Sequence, residues 1–255
     1  MGRIHSNTPR IALGGTARSP EDVAMLFDLG LDFAEVSLKD MSNFARSISD
    51  FIELKSRANL FYLCHGPNEG DPNDTNYLRE HYLPRILEIL DIMLILNMSL
   101  LTLHLWVDHR FVKAPVIDLK IDLLRQIIDK ATKSNIIICL ENLSEDCKDL
   151  DKVFKALPQL YLTLDVGHAQ LLRPKTTALG LIAAYADRIR HLHLHDNIGG
   201  NSVDDDLHLP PGEGIVDFKG IFEALKGIGY TGTATLELKP EEIERCLPFV
   251  RTLLW

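Results

Sequence analysis

At 255 residues the chain is long enough for one large α/β domain or two small ones. Its composition, 46% hydrophobic and 25% charged, is that of a globular protein with a sizeable core. A net charge of −9 and a pI near 5.5 exclude an overall basic footprint for a phosphate backbone, although bound divalent cations would reverse the field locally.

Strand-like and helix-like segments alternate along the chain. Residues 11–14 form a short apolar run closed by Gly14 and Gly15, after which Ser19 and Pro20 start a helix as N-cap and first residue, with Glu21 and Asp22 in its first turn. The predicted second strand and helix are residues 33–38 and 44–58. The third strand, 60–65, is followed by the polar loop GPNEGDPND and a long helix over 77–97. The fourth pair is 100–106 and 116–133, the fifth 136–141 and 149–157, and the sixth 161–165 and 177–187. A seventh strand, 189–195, leads into the longest irregular segment, 197–214, of a kind that is usually functional or disordered. A helix at 218–227, a strand at 233–238 and a helix at 241–252 complete eight pairs. No Pro- or Gly-rich linker divides them, so residues 1–255 read as a single domain. Alternation implies a parallel sheet, and eight units point to an α/β fold closed as a (β/α)8 barrel, which takes about 250 residues. A doubly wound open sheet is the alternative.

The four cysteines, Cys64, Cys139, Cys147 and Cys246, form no C-x-x-C pair, and the N-terminal MGRIHSNTPR lacks the apolar core of a signal peptide. A thiol-reduced, cytoplasmic protein is the expectation. Residues 86–106 resemble a membrane span in hydropathy, but Glu88, Asp91, Asn97 and His104 interrupt them, so a buried helix running into a strand explains them better.

Several apolar runs end in a residue able to bind a metal or move a proton. They are LFYLCH at His65, LLTLH at His104, IIICLE at Glu141, YLTLD at Asp165 with His168 behind it, IRHLH at His193 and TATLE at Glu237. The loop DLHLPPGEG adds Asp206 and His208. Singly, each has an ordinary explanation: a hydrogen-bonded rim residue for His65 or His104, a turn cap for Glu141, a helix N-cap for Asp165, an ion pair with Lys239 for Glu237. Jointly they point to one polar site, because isolated charges at the mouth of an apolar barrel are costly and barrel active sites form at the C-terminal strand ends. Imidazoles and carboxylates are ligands for zinc and manganese. On the seventh strand His191, His193 and His195 share a face, with His191 deepest as a core or supporting residue and Leu192 and Leu194 turned toward the helices.

With LENL, D-V-G-H, H-L-H-D and D-L-H-L-P-P-G-E-G, the chain resembles the xylose isomerase-like TIM-barrel superfamily from about His65 to Glu237, in particular the sugar phosphate isomerase/epimerase group and its relative endonuclease IV. In the isomerase branch the resemblance implies one divalent metal, zinc or manganese, held by Glu141, Asp165, His193 and Glu237. The two glutamates would also be the acid–base pair, and His168 would meet a small sugar or sugar phosphate, with His195 and Lys239 expected beside it as further substrate-binding residues. The metal would polarise a carbonyl oxygen while a carboxylate moves the proton beside it. In the endonuclease branch it implies three zinc ions on His65, His104, Glu141, Asp165, His168, His193, Asp206, His208 and Glu237, with phosphodiester hydrolysis at abasic sites. Few basic residues in the loops, and the absence of an aromatic residue from G-P-N-E-G-D after His65, favour the sugar-directed reading over nucleic acid.

Gly212 and Gly214 around Glu213 would either bring backbone N–H groups to a substrate phosphate or simply turn the chain, with Lys239, Arg173 and Lys175 as nearby cations. Trp106 would form an apolar wall for a sugar face or pack in the core. Other chemistry on the scaffold, such as dehydration, and a binding-only sensor are further readings. A homodimer through the outer helices is compatible with the sequence.

Overall fold

Ser19 and Pro20 start the first helix as their chemistry requires. The Ser19 side chain accepts the Asp22 N–H at 3.3 Å, and Pro20, which has no N–H to satisfy, opens α1 (Pro20–Asp28). The computed structural model describes residues 10–38, 41–58 and 60–254, so all but the last of the N-terminal residues MGRIHSNTPR lie outside the described residues.

The strands are β1 (Ala12–Ala17), β2 (Phe33–Ser37), β3 (Phe61–His65), β4 (Leu100–Leu103), β5 (Ile137–Glu141), β6 (Tyr161–Asp165), β7 (Ile189–Leu194) and β8 (Thr233–Leu236). All pair in parallel and in chain order, and β8 closes on β1, so the expected single-domain (β/α)8 barrel is the fold. The helices that follow α1 are α2 (Met41–Ala58), α3 (Leu83–Ile95), α4 (Ala114–Thr132), α5 (Cys147–Ala156), α6 (Ala178–Tyr185), α7 (Phe218–Gly227) and α8 (Pro240–Leu253). A π-helical stretch at Leu78–Tyr82 leads into α3, and from its end the Tyr82 hydroxyl donates to the His104 carbonyl at 2.9 Å.

Two of the element boundaries that differ from the sequence reading do so for a steric reason and a pairing reason. Gly14 and Gly15 do not close the first strand but lie inside it, with β1 continuing to Ala17. A Cβ on Gly14 would stand 2.4 Å from the Phe33 ring inside the barrel, and one on Gly15 would stand 2.6 Å from Leu26 of α1 and Ile243 of α8. Here glycine permits close packing rather than a turn. The fourth strand ends at Leu103, because residues 104–106 rise past the last ladder partner of β5, Leu140.

Side chains alternate between the helices and the barrel interior. Outward residues such as Val36, Leu101, Leu140, Leu192, Leu194 and Leu236 join the buried faces of the helices in one apolar cluster. Inward residues change character as the strands climb. Phe33, Leu63, Leu100 and Cys139 plug the bottom of the barrel. Glu35, Thr102, Thr163, His191 and Thr235 make a buried polar layer above them, where Thr102 and Thr163 join hydroxyls at 2.8 Å. The next inward positions are His65, His104, Glu141, Asp165, His193 and Glu237. Residues 86–106 form most of α3 and then β4, and among the described residues no helix is long and apolar enough to cross a membrane.

Candidate metal centre

One glutamate carboxylate forms the middle of the strand-end cluster. Glu141 is wholly buried, with Oε2 2.8 Å from His104 Nε2 and 3.5 Å from His65 Nε2. Its Oε1 lies 3.1 Å from His168 Nδ1 and 3.2 Å from His193 Nδ1. His193 Nδ1 is also 3.4 Å from Glu237 Oε1 and 3.8 Å from Asp165 Oδ2. Donor atoms of Glu141, Asp165, His193 and Glu237 all lie within 4.8 Å of one another, as do those of His65, Glu141 and His193. The turn-cap role considered for Glu141 is not what its oxygens do. Asp165 fills both roles: its Oδ1 accepts the His168 N–H at 2.6 Å while the carboxylate faces the imidazoles.

The segments after β6 and β7 supply a second group, His168 from the first and His195, Asp206 and His208 from the second. Asp206 Oδ2 lies 3.2 Å from His168 Nε2 and 3.1 Å from His208 Nε2. His208 adopts φ +46°, a left-handed conformation uncommon outside glycine, and its Nδ1 bonds the Glu237 carbonyl at 3.1 Å. His195, expected to meet substrate, is wholly buried; it bonds Asp165 at 3.1 Å and stacks under His208 with ring centroids 3.9 Å apart. Gly167 makes room for it, since a Cβ there would fall 2.2 Å from the imidazole.

Asp196, the last residue of H-L-H-D, orders this loop. Its buried carboxylate accepts N–H groups from Asn197, Gly212 and Gly214 at 2.9 Å and from Val216 at 3.0 Å. Of the two readings of Gly212 and Gly214, the turn is the one found: their amides already hold an internal anion, and the glycines turn the chain. Arg173 is likewise committed, to Asp108, Asp146, Asp149 and the Ser144 carbonyl. That pairing, with Arg110 on Asp108, also neutralises the Asp108–His109–Asp149 group. Trp106 packs: its indole donates to Ser144 at 2.8 Å and stacks on Phe111. Lys175 is exposed, and no ion pair joins Glu237 to Lys239 among the described residues.

Above the cluster opens a cleft of about 360 Å³. His65, His104, His168, Asp206, His208 and Glu237 form its floor, and Arg18, Asn68 and Lys239 are among its other lining residues. Glu141, Asp165 and His193 lie beneath, out of contact with solvent.

The residues fit a divalent metal. Glu141 Oε1, His168 Nδ1, His193 Nδ1, His195 Nδ1 and Asp206 Oδ1 are buried yet make no hydrogen bond, and such atoms are costly unless something coordinates them. Burial opposes the charge on Glu141, but the His104 and His193 imidazoles outweigh it and hold the carboxyl well below the usual range. Burial likewise opposes Asp165, which His168 and His195 lower. Burial opposes protonation of His193 and His168, and the facing carboxylates raise both well above the ordinary imidazole value. His208, between Asp206 and Glu237, is raised to about 9.

The signs set a pH dependence. A raised imidazole stabilises the fold in full below its unfolded value near 6.5 and loses that contribution as the pH climbs through its folded value, about 9 for His208. The lowered carboxylates contribute above their unfolded values near 4 and lose the contribution as the pH falls further. In chelator, the melting temperature is expected to be highest between about pH 5 and 6.5 and to fall toward about pH 9, whereas saturating zinc flattens the alkaline limb by replacing the protons. Thermal unfolding with and without EDTA checks this, and an alkaline limb that is flat without metal contradicts it.

Sequence reasoning overlooked Glu35 and Asp196. Glu35 was legible as a lone acid at an inward position of an apolar strand, and Asp196 as part of H-L-H-D.

A family model described as xylose isomerase-like TIM barrel matches residues 23–252. The uncharacterized protein MJ1311 of Methanocaldococcus jannaschii is 27% identical over 216 residues, which cover 76% of this chain and 70% of its own. A D-tagatose 3-epimerase-like protein superposes with a TM-score of 0.79 at 21% identity, over 95% of this chain and 97% of its own. The IolI protein, solved with a zinc atom bound, superposes with a TM-score of 0.77 at 16% identity, over 95% and 96%. At those identities the structural likeness speaks for the fold. The family match, spanning the chain from α1 to α8, establishes that this protein belongs to the xylose isomerase-like TIM-barrel family.

Proposed function

We propose that the protein is a divalent-metal-dependent isomerase or epimerase of a sugar or sugar phosphate, acting by proton transfer next to a carbonyl. The observation that carries this is the meeting of Glu141, Asp165, His193 and Glu237 donor atoms within 4.8 Å, directly under a cleft that Glu237 lines. Glu141, Asp165, His193 and Glu237 would hold the ion, zinc or manganese. Bound there, it supplies Lewis-acid polarisation of a carbonyl oxygen.

Glu237, at the cleft floor, would take the proton from the carbon beside that carbonyl, and Glu141, which meets the same His193 nitrogen, would be the second carboxylate of the acid–base pair, serving the opposite face of the substrate. His168 on the floor and Lys239 at the cleft wall bind substrate hydroxyls or an anionic group, and His195 holds His208 in place from beneath. Similarity to an epimerase-like structure is consistent with this chemistry. The four free cysteines suit a reducing cytoplasm.

One observation favours a second reading, phosphodiester hydrolysis. His65, His104, His168, Asp206 and His208 add more donors than a single ion needs, and a cluster of up to three zinc ions suits that reaction. Metal analysis after metal-replete purification comes first; less than about 0.2 equivalents of metal removes both readings. Proton–deuterium exchange alpha to the carbonyl is then assayed across ketoses, aldoses and their phosphates, beside an abasic-site DNA duplex. Exchange without incision supports the isomerase. Incision that disappears in Glu237→Gln replaces it with the hydrolase.

A further inference from the structure

His193 has two ring nitrogens and two different surroundings. Nδ1 faces Glu141, Asp165 and Glu237 at 3.2–3.8 Å, whereas Nε2 points down the barrel to Glu35, 3.2 Å from Oε1 and 3.1 Å from Oε2. Glu35 is wholly buried, on a strand across the barrel from β7. Its other neighbour is His191, whose Nε2 lies 3.3 Å away.

The hydrogen-bond network assigns the protons. His191 Nδ1 lies 2.6 Å from the Thr233 hydroxyl, and its Nε2 lies 3.1 Å from the Thr235 hydroxyl. A carboxylate only accepts, so the nitrogen of His193 that faces Glu35 at 3.1–3.2 Å carries the N–H, and the lone pair of a neutral His193 is on Nδ1, aimed at the carboxylate cluster.

We infer that Glu35 is a positioning residue of the metal centre: by accepting the His193 Nε2–H, it fixes the tautomer and ring orientation that present Nδ1 to the ion. The inference rests on the metal reading above. A ligating imidazole whose second nitrogen donates to a carboxylate is held in orientation and made a stronger donor. Glutamine cannot substitute fully. Its amide nitrogen, turned to His193, would demand a lone pair on Nε2 and drive the proton onto Nδ1, and its neutral oxygen is a weaker acceptor.

The test compares wild-type, Glu35→Gln, Glu35→Leu and Thr233→Val protein. Zinc affinity is read by chelator competition, and the His193 tautomer by two-bond 1H–15N correlation of the zinc-loaded, 15N-histidine-labelled protein. Thr233→Val removes the far partner of His191 and controls for a disturbed polar layer.

The expected result is zinc binding weakened about 10–100-fold in both Glu35 variants, with little change in Thr233→Val. The Nε2–H correlation of His193 should be present in wild-type protein and lost or shifted in Glu35→Gln, which retains the size of Glu35 if Glu35→Leu does not fold. Unchanged affinity and tautomer in Glu35→Gln overturn the inference and leave the metal centre standing. Loss of a whole zinc equivalent also overturns it, by making Glu35 a ligand. Wild-type protein that takes up no zinc overturns the metal centre and the inference with it.

Discussion

Glu141→Gln is expected to lower zinc or manganese affinity by at least about 100-fold, more than is typical for loss of a supporting residue, and to abolish proton exchange on substrate. The reason is its position. Both oxygens are wholly buried and are shared among four imidazoles, with Oε2 toward His104 and His65 and Oε1 toward His168 and His193. Glutamine conserves shape but replaces one oxygen with a donor, which would compete for the lone pairs that ligation needs, and it removes the charge that offsets a divalent ion in a dry site. Metal analysis and chelator competition on the folded variant measure the effect. Affinity within about threefold of wild type would show that Glu141 is not a ligand.

The second large effect is on stability. Lys120 of α4 is wholly buried, with Nζ 2.7 Å from Glu69 Oε2 and 2.7 Å from the Trp106 carbonyl. Burial raises Glu69 to about 7 even with Lys120 beside it. Glu69 also accepts the Trp106 N–H, and Glu145 accepts those of Val107, Leu143 and Ser144. This network joins the loops after β3, β4 and β5, which continue from His65, His104 and Glu141.

Lys120→Met strands buried carboxylates without their cation, for which the expected cost is about 3–5 kcal/mol. For a chain of this size that lowers the melting temperature by roughly 10 °C. Adding Glu69→Leu should restore much of the loss, because removing both charges removes the desolvation cost. Thermal unfolding of the single and double variants decides it, and a single variant melting within about 2 °C of wild type would count against the network.

The chain by itself determined the barrel and the residue types at its mouth that are able to hold a metal. Period-2 apolar runs, separated by amphipathic helices and repeated eight times, leave few other ways to bury their faces. Ligand candidates stood out because each ended such a run, and parity correctly placed His191 below His193. Capping was equally local: Ser19 and Pro20 act where the sequence puts them.

What only the tertiary structure decided is which partner each polar group meets. Gly14 and Gly15 look like a turn until Phe33, Leu26 and Ile243 close around them. Gly212 and Gly214 read equally as an anion cradle or a turn until Asp196, at the start of the same loop, takes their N–H groups. Arg173 looks free until three aspartates from other units surround it. Glu35 lies 158 residues from His193, and only barrel closure brings that carboxylate under that imidazole. Periodicity encodes the face on which a side chain lies; the direction of a proton depends on contacts that exist only after the strands close.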